Sequence, residues 1–218
     1  MLDLLKKRSK VNSSAVLDSI EKAVYEELKS FGFCRYGRTL HRFVSGDISQ
    51  VINFQLGEAR RMENHLLYVN VGIRVPECVE RSFAAELAQK KYYHEYECNI
   101  RSRLGMVEGR EESCYNLRKS VENIQADILR QIFVVVLPAF DALSSRDEIL
   151  LHRREYPRFD TLNDHLILLE EAMIHGRRGE REKAAEMFRQ HYRALQYNQN
   201  HLEYLEKLAR ELEIELDM

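Results

Sequence analysis

The sequence has no excess of charge of either sign. Its 33 lysines and arginines stand against 35 aspartates and glutamates, a formal charge of −2. Attraction to nucleic acid draws on concentrated positive charge, which a balanced chain offers only where basic residues cluster. KKRSK at 6–10 and RREYPR at 153–158 are such clusters, and both read first as solvated charge, so nucleic acid is not an expected partner. Long hydrophobic runs are missing too. The longest, IFVVVLPAF at 132–140, falls far short of the ~20 residues that span a bilayer; it reads as a buried helix or strand, and no membrane is expected. The opening MLDLLKKRSKVNSSAV lacks a signal-peptide core, because Leu4 and Leu5 run straight into charge. Cysteine is scarce. Cys34, Cys78, Cys98 and Cys114 show neither CxxC pairing nor the spacing of small secreted domains. A reducing cytoplasm fits, with the thiols as small buried hydrophobes.

Catalytic signatures are absent as well. No GxSxG, HExxH, Walker-type or GxGxxG pattern occurs. The nearest thing to a ligand set is HEYEC at 94–98, where His94 and Cys98 lie four apart, but a metal needs three or four converging ligands. The other histidines singled out (His41, His65, His175, His191 and His201) fall on different elements, so no metal and no cofactor is expected. A cysteine nucleophile would need a histidine partner, and no local signature supplies one. Glu111–Glu112 and Glu170–Glu171 read as solvent-facing charge. The chain leans away from being an enzyme.

What is present is architecture. A chain of 218 residues buries roughly 70% of its unfolded surface. Residues 13–31 read as an amphipathic helix, with Ser13 or Ser14 as cap, Leu17, Ile20, Val24 and Leu28 on one stripe, and Gly32 past the last turn. The period then changes to two. Residues 33–44 read as two short strands around Gly37-Arg38, 45–47 as a turn, and 50–56 and 66–75 as stronger strands. A helix is expected over 78–91 and one more strand over 97–105. From about Tyr115 the pattern is helical: one long segment over 117–143 that Pro138 kinks or splits, then 162–175, 181–195 and 199–213. Residues 162–195 resemble a single tetratricopeptide-type hairpin, and one unit makes no repeat array. The expected fold is α+β: a mainly antiparallel sheet of four to five strands packed with helices, then an all-helical C-terminal part. Residues 1–112 form the sheet region and 113–218 a helical region packed on it, within one continuous domain.

Alternation assigns faces. Ile52, Phe54 and Leu56 oppose Val51, Asn53 and Gln55; Leu67, Val69, Val71, Ile73 and Val75 oppose Tyr68, Asn70, Gly72 and Arg74; Cys98, Ile100, Ser102 and Leu104 oppose Asn99, Arg101 and Arg103. If the apolar faces go to the helices, one sheet surface carries Asn53, Gln55, Tyr68, Asn70, Arg101 and Arg103. That set holds amides and guanidinium groups and no carboxylate. It suits recognition of an anion, a carboxylate-bearing side chain or peptide backbone, and it suits acid–base chemistry poorly. Two structural alternatives stand beside it: a merely wet sheet face, and arginines paired with acidic residues of the C-terminal helices.

The order of motifs carries a resemblance. LKSFGFCRYGRTLHR, then DISQVINFQ, LYVNVGI and YECNIRSRLG, resembles the family called domain of unknown function 4304 over roughly residues 15–145. Gln50, Asn53, Gln55, Asn70, Gly72, Arg101, Arg103 and Gly105 stand at its motif positions. The resemblance implies a bacterial, cytoplasmic α+β protein and hands over no catalytic residue. The first functional expectation is a non-catalytic protein-interaction module, with an immunity-type protein that neutralises a partner as one form of it. The second is a small-anion binder or enzyme using Arg101 and Arg103.

Overall fold

A computed structural model describes residues 12–57, 65–80, 90–110, 114–160, 164–194, 199–211 and 213–214. Helix α1 (Ser13–Leu28) starts one residue earlier than its serines would cap it: Asn12 Oδ1 accepts from the Ala15 N–H at 3.2 Å. Leu17, Ile20, Val24 and Leu28 have no exposed surface, each stabilising the fold by roughly 1.5–3 kcal/mol. Gly32 follows at φ +82°, a conformation that favours glycine.

The sheet is an antiparallel meander of β1 (Cys34–Tyr36), β2 (Thr39–Val44), β3 (Ile48–Leu56), β4 (Leu66–Arg74) and β5 (Ile100–Arg103), side by side in chain order. Between β2 and β3, Ser45 and Gly46 both take positive φ, the hand that a tight hairpin requires. Ser45 Oγ donates to the Ser144 carbonyl at 2.8 Å, which anchors this strained turn to the helical layer. After β4 comes the short helix α2 (Pro76–Glu80). The expected helix over 78–91 is not confirmed at its far end. Residues 81–89 lie outside the described ones, and Lys90 and Lys91 are not helical. After β5 and a single turn of helix, α3 (Leu104–Val107), a strand appears where helix was expected. Tyr115–Asn116 forms β6, which pairs with Leu66–Leu67 at the start of β4, beyond the stretch that β5 covers.

Helix then runs from Val121 to Ala142 without interruption. It comprises α4 (Val121–Gln131), a π-helical turn at Ile132–Val136 and α5 (Leu137–Ala142). The π turn answers the question set by Pro138. The Leu137 N–H bonds back five residues to Ile132 O, and the wider turn relieves the clash and missing donor that proline brings to a regular helix. By length and composition this 22-residue helix could cross a membrane. Here Ile124, Ile128, Ile132, Val136 and Phe140 are core residues, while Asp127 and Arg130 make surface ion pairs.

The remaining helices are α6 (Arg146–His152), capped by Ser145 Oγ, then α7 (Asp164–Arg177), α8 (Arg181–Ala194) and α9 (Gln199–Glu211). α7 and α8 form the expected antiparallel hairpin, with Gly179 at φ +76° in the turn. A single core cluster runs from Leu17 and Ile52 through Phe140 to Met173, Phe188 and Leu208.

Two expectations about charge are corrected. Glu171 is buried and takes Arg154, and Glu170 lies between Arg153 and Asn99; Glu111 and Glu112 lie outside the described residues. The basic stretch 153–158 is not a free patch: Arg153 is 1% exposed and held by Asp160 Oδ2 at 2.5 Å. KKRSK at 6–10 lies outside the described residues. Of the four thiols, Cys78 and Cys98 are buried, Cys34 is exposed and Cys114 intermediate; burial pushes the Cys78 and Cys98 thiols up.

Candidate functional site

Register builds the outer sheet face row by row. Leu40, Ile52, Val71 and Ser102 form an inward row toward the helices. The next row turns outward: Tyr36, Thr39, Asn53, Asn70 and Arg103 stand opposite one another across five strands. Beside it on one side lie Gln55 and Tyr68. On the other side lie Cys34, His41, Val51, Gly72 and Arg101. All six residues expected on the polar face are therefore on it, in adjacent rows.

Their amides are linked. Asn53 Nδ2 donates to Thr39 Oγ1 at 2.9 Å, and Asn70 Nδ2 donates to Gln55 Oε1 at 3.0 Å and Asn53 Oδ1 at 3.5 Å. Asn70 and Thr39 are buried, Asn53 and Tyr68 half-buried, and Gln55, Arg101 and Arg103 exposed. The Arg103 guanidinium lies 4.5 Å from the centre of the Tyr68 ring, a cation–π contact that fixes one face of it. Arg101 makes no hydrogen bond or ion pair among the described residues. Neither arginine faces the C-terminal helices, where Glu170 pairs with Arg153.

Two residues next to β5 break the expected alternation. Asn99 turns to the helical side, accepting from the Val75 N–H at 2.8 Å and donating to Glu170 Oε2 at 2.7 Å. Cys98 instead packs on the outer face over Gly72 and beside Val51. A Cβ on Gly72 would sit 2.8 Å from the Cys98 Cβ, so glycine is required there by close approach rather than by backbone angle.

Cys98 ends a strap, residues 90–98, that crosses the outer face and is the part that sequence reasoning missed. Tyr92 stacks on Tyr36 with ring centres 3.5 Å apart. Tyr93 is buried between Phe43 and the Arg74 guanidinium, 3.9 Å from its ring centre. His94 stacks on Tyr96 at 5.1 Å and meets Tyr92 edge-on at 5.4 Å. Glu97 fastens the turn by accepting from the His94 N–H at 2.9 Å and pairing with Lys90. His94 is thus an aromatic partner. Among the described residues, no three His, Cys, Asp or Glu side chains converge as a metal site. His41 lies under the strap, 7% exposed, in contact with Phe43 and Tyr92. Burial holds its imidazole below the usual value, against the pull of a hydrogen bond to the Lys91 backbone. The signal for the strap was the aromatic spacing in YYHEY, which has neither helical nor strand period.

A second concavity, a cleft of about 580 Å³, lies between β6, Gly105 and the start of α4. Two of its charges are spent on each other. Arg110 grips Asp127 through two hydrogen bonds of 2.6 and 2.8 Å, and Tyr115 Oη donates to the same carboxylate at 3.0 Å. Arg110 chiefly holds the Asp127 carboxyl down at about 2.

Sheet and site together define a two-layer α+β protein, one face of its meander packed on helices and the other left polar, with an aromatic strap across part of it. The chain belongs to the family described as Domain of unknown function (DUF4304), whose model matches residues 10–142, a range that closes at the last residue of α5. No curated protein and no solved structure matches it.

Proposed function

We propose that the protein is a non-catalytic interaction module whose outer sheet face holds a protein partner. The observation that carries this is the composition of the face. Amides, two arginines and phenols lie in adjacent rows without a carboxylate among them. Amides pair with peptide groups as donor and acceptor alike, and guanidinium groups take carboxylates in a fixed fork. The neutral, buried His41 is the titratable group beneath the strap, and it faces rings rather than an open site.

The test is co-purification from extracts of the cells that make the protein, with wild type beside Arg101→Glu and Gln55→Ala. Both side chains are exposed; Arg101→Glu is expected to melt like wild type, and Gln55→Ala, which takes one acceptor from the buried Asn70, to melt slightly lower but stay folded. A partner that wild type retains and the folded variants lose supports the site. A partner that all three retain equally overturns it. The exposure of Arg101 also favours a second reading, a site for a small anion. In that case a phosphorylated or carboxylated metabolite raises the melting temperature of wild type and not of Arg101→Glu.

A further inference from the structure

We infer that the partner's contact segment is an extended acidic peptide lying across the strands, in the row Tyr36–Thr39–Asn53–Asn70–Arg103. This rests on the face being the binding site, and it names what the face binds. The row has a profile. Tall, exposed side chains stand at its two ends, Tyr36 at 47% exposure and Arg103. Short ones lie between them, with Thr39 and Asn70 buried and Asn53 half-buried. Two tall ends over a low middle leave a shallow saddle whose long axis follows the row, perpendicular to the strands.

Each stretch of the row has its own chemistry. At the β1 end, the Tyr36–Tyr92 stack, with His94 and Tyr96 beyond it, offers ring faces and edges to an apolar or aromatic side chain. In the middle, Asn53 and Gln55 are the accessible members of the amide ladder and match peptide N–H and C=O groups without regard to sequence, while the buried Asn70 gives its Nδ2 to both of them. At the β5 end, Arg101 and Arg103 stand two residues apart on one strand and face, where a carboxylate is complementary in charge. Glu97 of the strap does not oppose such a ligand, because Lys90 neutralises it; among the described residues of the strap, Glu95 is the acidic group left. Length follows from the sheet. The row spans four strand spacings of about 4.8 Å, or roughly 19 Å. An extended chain advances about 3.3 Å per residue, so the occupant is about six residues long.

The probe is an array of eight-residue peptides, each with one aromatic residue and one glutamate, the gap between them varied from one to six residues on a glycine–serine background. The proposal expects binding to peak at a gap of four or five residues and to vanish when glutamine replaces the glutamate. In fluorescence polarisation, the best peptide should bind Arg101→Glu about tenfold more weakly, and Tyr36→Ser should erase the preference for an aromatic residue. A flat profile across gaps overturns the proposal, as does a best peptide that both variants bind like wild type. Binding of oligouridylate in place of any peptide overturns it equally. Failure here is distinguishable from failure of the site. If no peptide binds but a co-purified partner still depends on Arg101, the face is right and the linear acidic segment is wrong.

Discussion

His41 shows how one side chain records its surroundings. It sits in the outward row beside Val51, under Tyr92, and is 7% exposed. The charged form is desolvated there, so the folded protein binds its proton less readily than the unfolded chain, whose histidines titrate near 6.5. Between those two values the unfolded state carries more protons, so stability rises with pH. The contribution is complete above about pH 6.5 and is lost as the solution is acidified through and below that value. Urea midpoints at pH 7.5 and pH 5.5 should therefore fall further apart for wild type than for His41→Phe. Equal differences would show that the imidazole is solvated. Of the six residues assigned to the polar face from alternation, all lie on it, because period two fixes a side chain's face once its strand is known. Asn99 and Cys98 escaped that logic because they precede β5 and are outside its paired register, so Asn99 reached Glu170 and Cys98 filled the space over Gly72.

Elements differ in how openly they announce themselves. α1 and the meander follow from stripe, alternation and turn residues, all local in sequence. The long helix was legible from its apolar period, but not the way it accommodates Pro138. The π turn at Ile132–Val136 carries one extra residue within the helical path and pushes Val134 out to 63% exposure. A proline in a regular helix interior costs about 3 kcal/mol. With the ladder already shifted, Pro138→Ala is expected to change stability by less than about 1 kcal/mol in urea unfolding. A gain near 3 kcal/mol would mean that the π turn relieves nothing. β6 was not legible, since two residues without flanking turn signals hold no period at all; its place is decided by the free edge of β4. Nor was the burial of Glu170 and Glu171, which depends on arginines more than a dozen positions away.

Across the whole molecule, the sheet and the C-terminal hairpin share a core cluster and a buried polar tie. Arg153 lies between Asp160 and Glu170, and Glu170 in turn holds Asn99 beside β5. Burial pushes the Glu170 carboxyl up, with Arg153 pulling against it. Removing the cation leaves the carboxyls facing each other out of water, so Arg153→Met should cost about 3–5 kcal/mol. Arg153→Met with Glu170→Gln should cost less than the sum of the two single changes; full additivity in urea unfolding would separate the two groups. The meander adds a consequence in time. Its strands are neighbours in sequence as well as in space, so they can pair as soon as Arg103 leaves the ribosome. The helix that closes the inner face ends at Ala142, and synthesis at about 5–20 residues per second brings it roughly two to eight seconds later. During that interval α1 is the only described helix of its length available to cover Ile52, Phe54, Val69 and Val71. A newborn chain therefore displays a half-roofed greasy sheet for seconds, the kind of surface a ribosome-bound chaperone catches.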